Sequence, residues 1–384
     1  MAEENELNTE EPVPAELIMK AKAELQPQLE KYGVSAWAAT EVQIHEALKK
    51  SLTVAFLGSA SAGKDSAIRA LFGIDFGDVS PIPGSTDRIK VAPLDEHGQV
   101  LLVNAPGFGD IRAEVDQVAR KALDTLDIVV YVVNAEGGAT IDEKKDLDAI
   151  RALGRPVLVC INKIDLIRPH QRDEFVLATL AQLGVHAKDS VVCAFDPLPQ
   201  LSPDPIGVGA VIAWIHEQLE ETGKELLFAK HLRNKVAACE PILMRAARNA
   251  SLAGAMPIPG ADLAAVTAVQ VKMIRDVAEI FEAPVDKDVA IFIIGEILSG
   301  SMRGFVRWGI QAIKAAGWIP GTQVAEGAIL AISALVAGAS TYGVGKASVA
   351  FFQSGQKLDG DKLRFLFDAA AFEYQRRRSV KSSE

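Results

Sequence analysis

The chain is short of cysteine, of surplus positive charge and of an apolar leader, and each shortage closes off a class of protein. Its three cysteines, Cys160, Cys193 and Cys239, are odd in number and widely spaced. Neither a disulfide framework nor a zinc site follows from them, and the expected compartment is a reducing cytosol. The formal net charge of −10 argues against a general nucleic-acid surface, so no nucleic-acid partner is expected. Met1 to Glu11 is acidic and polar, the opposite of a secretory signal. What the chain has in plenty is apolar residues. At 49% of 384 residues and a mean hydropathy of +0.17 they are frequent for a soluble protein, and the excess lies in the C-terminal third. The length exceeds one ordinary domain, so two are expected.

The apolar pattern divides the chain. Residues 1–14 read as a disordered acidic tail. Residues 15–50 read as two helices, Ala15–Lys31 and Ser35–Lys50, broken at Tyr32-Gly33, with Leu17, Ala21, Leu25 and Leu29 on one stripe that needs a partner surface. Over 51–222, short apolar runs without alternation recur at Leu52–Leu57, Val100–Val103, Asp127–Val133, Pro156–Ile161 and Val191–Ala194. Such runs suit strands buried on both faces of a parallel sheet. Helical patterns follow at 66–72, 114–125, 140–153, 170–183 and 208–221, so an α/β sheet with its ligand at the C-terminal strand ends is expected. Residues 223–375 read as an all-α, Ala/Gly-rich domain, and 376–384 as a basic tail.

Two motifs divide one ligand between them. Gly58-Ser59-Ala60-Ser61-Ala62-Gly63-Lys64 sits between an apolar run and a helical pattern. A glycine-rich turn in that setting points backbone N–H groups and one lysine at phosphates, which nominates Gly58, Ser61, Ala62, Gly63, Lys64 and the following Asp65 and Ser66. Asn162-Lys163-Ile164-Asp165 closes a later apolar run. An Asp on such a loop accepts parallel hydrogen bonds from the N1–H and exocyclic amine of guanine. Adenine offers no such pair, so the combination selects GTP over ATP.

On these motifs the chain resembles the translation-factor-related GTPases, Era-like and dynamin-like, over roughly residues 52 to 222. The resemblance implies a P-loop GTPase domain with a mostly parallel sheet, GTP and GDP as ligands, and Mg²⁺ as cofactor. Thr86, in Pro83-Gly84-Ser85-Thr86, resembles the switch threonine that ligates Mg²⁺ and senses the γ-phosphate. Pro106-Gly107 resembles the second switch, whose glycine N–H contacts that phosphate, and Cys193-Ala194 the loop whose backbone N–H reads guanine O6. The catalytic expectation falls on Lys64, Thr86 and Ser61.

Three positions depart from the pattern. Asp65 stands where the family carries a Ser or Thr that binds the metal, and Asn104 where it carries an Asp that holds the metal through water. One carboxylate has left one side of the metal and another has appeared on the other, so Asp65, Thr86 and Asn104 are the expected metal set; a degenerate site is the alternative. Phe108 occupies the place of a glutamine that orients the attacking water. Ser61 matches the place where dynamin-like members carry a Ser, and there a K⁺ or Na⁺ bound in a dimer supplies positive charge; otherwise Ser61 caps the turn.

Residues 224–384 resemble, loosely, the uncharacterised helical domain that follows the GTPase domain in some bacterial proteins and is often assigned to membranes. Gly327–Gly345 carries no charge, but it is at the lower limit for a bilayer span of about 20 residues, and its Ala/Gly content equally suits a buried helix. Glu296 interrupts the other apolar segment, Val289–Leu298, and Arg376-Arg377-Arg378 either meets anionic lipid or is simply solvated. Three functions compete: a GTP hydrolase whose cycle moves the helical domain or a dimer interface, a GTP-occupied switch with negligible turnover, and a membrane scaffold. The expected location is the cytoplasm, including the inner face of a membrane.

Overall fold

The computed structural model describes residues 15–76, 90–105, 125–255, 261–297 and 324–381. The acidic tail, the helical pattern at 114–125 apart from Thr125, and the switch positions Thr86, Gly107 and Phe108 lie outside them, as do the side chains of Leu17, Ala21, Leu25 and Leu29. The chain divides into two compact units, Ile44–Pro241, and Met1–Gln43 together with Ile242–Glu384.

The first unit is an α/β sheet. Its elements are β1 (Leu52–Leu57), α2 (Lys64–Phe72), β2 (Lys90–Pro93), β3 (Val100–Asn104), β4 (Ile128–Asn134), α3 (Ile141–Arg151), β5 (Val157–Asn162), α4 (Arg172–Leu183), β6 (Ser190–Val192), α5 (Val208–Glu220) and α6 (Glu225–His231), preceded by the end of α1 (Ala15–Leu48). The six strands run β2-β3-β1-β4-β5-β6, and every pairing is parallel except β2 with β3. All six residues of β1 are buried, as are six of the seven in β4, which is why these runs show no alternation. Between them lies a core built from Leu57, Val103, Tyr131, Leu147, Ile161 and their neighbours. Parallel register carries the C-terminal ends of β1, β3, β4 and β5 to one edge, where Phe56 pairs with Asn104 and Asn134 with Asn162.

The second unit is helical: most of α1, the body of α7 (Lys235–Gly254), α8 (Ala261–Ile280), a helical stretch over 287–297, α9 (Val324–Gln353) and α10 (Gly360–Lys381). Helix α1 corrects the expected break at Tyr32-Gly33, because it runs unbroken through both residues. A glycine inside a helix costs only about 1 kcal/mol. Here a side chain at Gly33 would meet Ile291 at 3.0 Å, so the bare backbone lets the two segments approach. The described side chains of α9 are largely buried. Ala339, Tyr342, Val344 and Ala347 are fully covered, and a Cβ at Gly345 would lie 2.5 Å from Leu243 of α7. Gly338, Gly343 and Gly345 thus serve close helix packing. Among the described residues no helix is long and apolar enough to cross a membrane.

Candidate nucleotide-binding site

The site is built where β1 ends. After Leu57 the chain turns through Gly58 (φ +141°), Ser61 (φ +60°) and Gly63 (φ +98°) into α2, which starts at Lys64 without a side-chain cap. Glycine is required at two of these positions for space as well as backbone angle. A Cβ at Gly58 would lie 2.2 Å from the Val132 carbonyl, and one at Gly63 2.2 Å from Nδ2 of Asn162. An uncapped helix start leaves its first N–H groups pointing out of the helix, where an anion is favoured. Lys64 folds back over the turn, its Nζ donating to the carbonyls of Gly58 and Ser59, each at 2.9 Å. Burial pushes its ammonium below the usual lysine range, and the adjacent Asp65 carboxylate partly offsets this. Ala62 is buried, while Ser61 and Asp65 are exposed and Ser66 is half-buried.

Asp65, in the first turn of α2, meets Asn104 at the end of β3: the Asn104 amide donates to Oδ1 at 2.5 Å. The two residues that depart from the expected metal pattern are therefore side by side. Together they present one carboxylate and one amide group next to the lysine, and oxygen donors of this kind suit a hard cation such as Mg²⁺. Thr86, the third member of the expected metal set, lies outside the described residues.

The second motif closes the far side of the turn. Asn162, 2% exposed at the end of β5, does not extend towards open space. Its Nδ2 donates to the Ala62 carbonyl at 2.8 Å, and its Oδ1 accepts from the Phe195 backbone N–H at 3.0 Å. Asn162 is thus a clamp between the phosphate turn and the loop after β6. Lys163 takes the left-handed conformation (φ +65°), and its ammonium reaches Glu136 at 3.3 Å. Asp165 sits in a short 3₁₀ turn, 7% exposed, with Oδ2 accepting from the Leu198 backbone N–H at 3.2 Å.

The loop after β6 departs from expectation in one respect. The N–H groups of Cys193 and Ala194, expected to read guanine O6, donate instead to the carbonyls of Ile161 and Ile206 at 2.9 and 3.1 Å. The Cys193 N–H continues the pairing of β6 with β5, and the Ala194 N–H is absorbed by an antiparallel bridge with Ile206. Cys160 and Cys193, far apart in sequence, are neighbours here; burial first and then the Cys160 thiol push the Cys193 thiol above its usual range. None of the three cysteines is in a disulfide.

Residues 53–163 match the family described as 50S ribosome-binding GTPase. The chain carries a P-loop GTPase domain. Residues 221–371, beyond that domain, match a domain of unknown function, DUF697. Among curated proteins, the tRNA modification GTPase MnmE of Synechocystis is 28% identical over 170 residues, 41% of this chain and 37% of that protein. GTPase Der of Pseudothermotoga lettingae is 30% identical over 138 residues, 33% of this chain and 31% of that protein. The chain thus spans about a third of the length of these curated relatives. Among solved structures, Era in complex with MgGDPNP and a segment of 16S ribosomal RNA covers 52% of this chain and 67% of its own, at 18% identity and a TM-score of 0.28.

Several residues of the GTPase domain escaped the sequence reading. Glu136 pairs with Lys163, Leu198 engages Asp165, and Phe195 engages Asn162; these tertiary contacts leave no local signature. Glu143 did leave one. Thr140-x-x-Glu143 is the pattern of a capping box, and it opens α3.

Proposed function

We propose that the chain binds GTP and hydrolyses it to GDP and phosphate. The observation that carries this reading is the clamp of Asn162 on Ala62, which ties a lysine-bearing phosphate turn to the strand end that leads into the buried Asp165. Phosphates fit the turn between Gly58 and Ser66. There Lys64 exchanges its two carbonyl partners for β- and γ-phosphate oxygens, and the uncapped start of α2 adds N–H groups. Asp165 accepts from the guanine edge. The base is recognised by this carboxylate, not by the N–H groups of Cys193 and Ala194, which are already engaged.

Asp65, Asn104 and Thr86 would hold Mg²⁺, which neutralises the charge that develops on the phosphates when the terminal P–O bond breaks. In the departure from the family pattern, Asp65 supplies the carboxylate and Asn104 fixes its orientation. Phe108 cannot polarise water, so the attacking water is oriented by another group, with Ser61 the place where a K⁺ or Na⁺ would add charge in a dimer. The full chain with Mg²⁺ should release phosphate from GTP, and Lys64→Ala should abolish binding while leaving the circular dichroism spectrum unchanged. Equal GTP affinity in Lys64→Ala would remove the turn as the phosphate site.

We further propose that the helical unit responds to this cycle at a membrane surface. The support is α10, where Phe365 and Phe372, 73% and 68% exposed, are seven residues apart on one helix with Arg376 exposed beyond them. Fractionation of the full chain with anionic vesicles in the presence of GTP or GDP tests it: co-sedimentation lost in Phe365→Ser/Phe372→Ser supports the reading, and a fully soluble protein in both nucleotide states contradicts it.

A further inference from the structure

Glu143 brings a buried carboxylate to the phosphate turn, and the two roles of that carboxylate differ in reach. Glu143 is 5% exposed, unusual for a residue whose ordinary task at this position is to close a helix cap at the surface. One oxygen does close the cap. Oε2 accepts from the Thr140 backbone N–H at 2.9 Å and from the Thr140 hydroxyl at 3.1 Å, while the Glu143 N–H donates back to Thr140 Oγ1 at 3.2 Å. The other oxygen leaves the cap altogether. Oε1 accepts from the hydroxyl of Ser59 at 3.1 Å, across 84 residues of sequence. Ser59 is the second residue of the phosphate turn, and its carbonyl is one of the two that hold Lys64.

We propose that Glu143 is a positioning residue for the phosphate turn, fastening Ser59, and through it the seat of Lys64, to the N-terminus of α3. This rests on the reading that the turn binds GTP. Among the described residues the turn is pinned at three points. The Gly58 backbone lies against Val132 of β4, Ala62 is gripped by Asn162 of β5, and Ser59 is gripped by Glu143 of α3. The first two pins lie at the ends of adjacent strands. The third alone comes from a helix, and its carboxylate costs free energy to bury unless both oxygens are bonded. Cap closure needs only one of them. The second is spent on a hydroxyl of the turn, and holding that turn in its binding geometry before ligand arrives removes an ordering cost from binding.

The alternative is that Glu143 only caps α3 and Ser59 merely borrows a nearby oxygen. A double-mutant cycle on the full chain separates the two, read as GTP affinity by titration calorimetry and as melting temperature without nucleotide. Ser59→Ala removes the grip and leaves the cap; Thr140→Ala weakens the cap and leaves the grip. A hydrogen bond to a charged group is worth enough that losing it should weaken GTP binding by about tenfold or more. Ser59→Ala and Glu143→Ala should each show that loss, and the double variant no more than either alone. Thr140→Ala should lower the melting temperature with GTP affinity unchanged. Should Glu143→Ala fail to fold, Glu143→Gln keeps the volume and closes the same cycle against Ser59→Ala. Additive losses, or a Ser59→Ala variant that binds GTP as the parent does, would overturn the proposal while leaving nucleotide binding intact. A parent chain that binds no GTP would overturn the nucleotide reading and this inference with it.

Discussion

Replacing Asn162 by Ala removes the clamp on which the site depends, and the structure gives the size of the effect. Two hydrogen bonds vanish in a place that solvent cannot reach, at 2.8 Å to the Ala62 carbonyl and 3.0 Å from the Phe195 N–H. Both partners stay buried without replacement, and each such group costs about 1–3 kcal/mol. Since the two share one small void and relax together, a total of about 2–4 kcal/mol is expected. For a unit spanning Ile44–Pro241 that corresponds to a drop of roughly 5–15 °C in the transition which GTP protects. Thermal unfolding of the full chain, with and without GTP, measures it. The same contact links Asn162 to Gly63, where a Cβ would strike the Asn162 amide at 2.2 Å. Gly63→Ala alone carries both this clash and a left-handed backbone strain of about 1–2 kcal/mol. In the Asn162→Ala background only the strain remains, so the two losses should add to less than their sum. An Asn162→Ala variant that melts like the parent, or strictly additive losses, would refute the clamp.

Two other perturbations address the metal and the acid limit. Asp65→Ser and Asn104→Asp should each impair Mg²⁺-dependent GTP turnover, the first by removing the carboxylate and the second by crowding two carboxylates at the 2.5 Å contact. The double change restores the family arrangement and should recover activity; a double variant no better than the worse single one removes the coupling between these positions. Asp95, in the turn between β2 and β3, is pushed up by burial, but the N–H groups of Gln99, Val100 and His97, with His231, outweigh this and hold its carboxyl below its usual range. Its folded pKa is below the unfolded value of about 3.9. The stabilisation is therefore complete above that value and is lost as pH falls through the folded one. Asp95→Asn should melt below the parent near neutrality, with the gap closing in acid; a gap independent of pH would contradict this.

The elements that were legible in the sequence are those fixed by local pattern. Unalternating runs such as Leu52–Leu57 and Ile128–Asn134 announced buried parallel strands because both faces of this sheet are covered. The glycine turn was legible because Gly58 and Gly63 leave room that no other residue does. Strand β2 was missed: four residues ending in a proline, paired antiparallel at the edge, carry too little apolar pattern to register. The continuity of α1 through Gly33 was missed because the glycine is compensated by Ile291, more than two hundred residues away. Cys193 and Ala194 were assigned to the base because of their position after Asp165, but the bridge to Ile206 that occupies the Ala194 N–H belongs to a later loop. Asp65 and Asn104 stand out in the sequence as two departures from one pattern; their side chains meet, and the metal they would share is a proposal.

The central claim is that Asp165 makes this a site for guanine nucleotides, and an exchange of base specificity tests it most directly. The full chain is titrated with GTP, ATP and XTP, alongside Asp165→Asn. The account predicts strong preference for GTP in the parent, because losing one side of a buried donor–acceptor pair costs about 2–5 kcal/mol. It also predicts a shift towards XTP in Asp165→Asn, whose amide can donate to the exocyclic oxygen of xanthine. Comparable affinity of the parent for ATP and GTP, or an Asp165→Asn variant with unchanged preference, would contradict it.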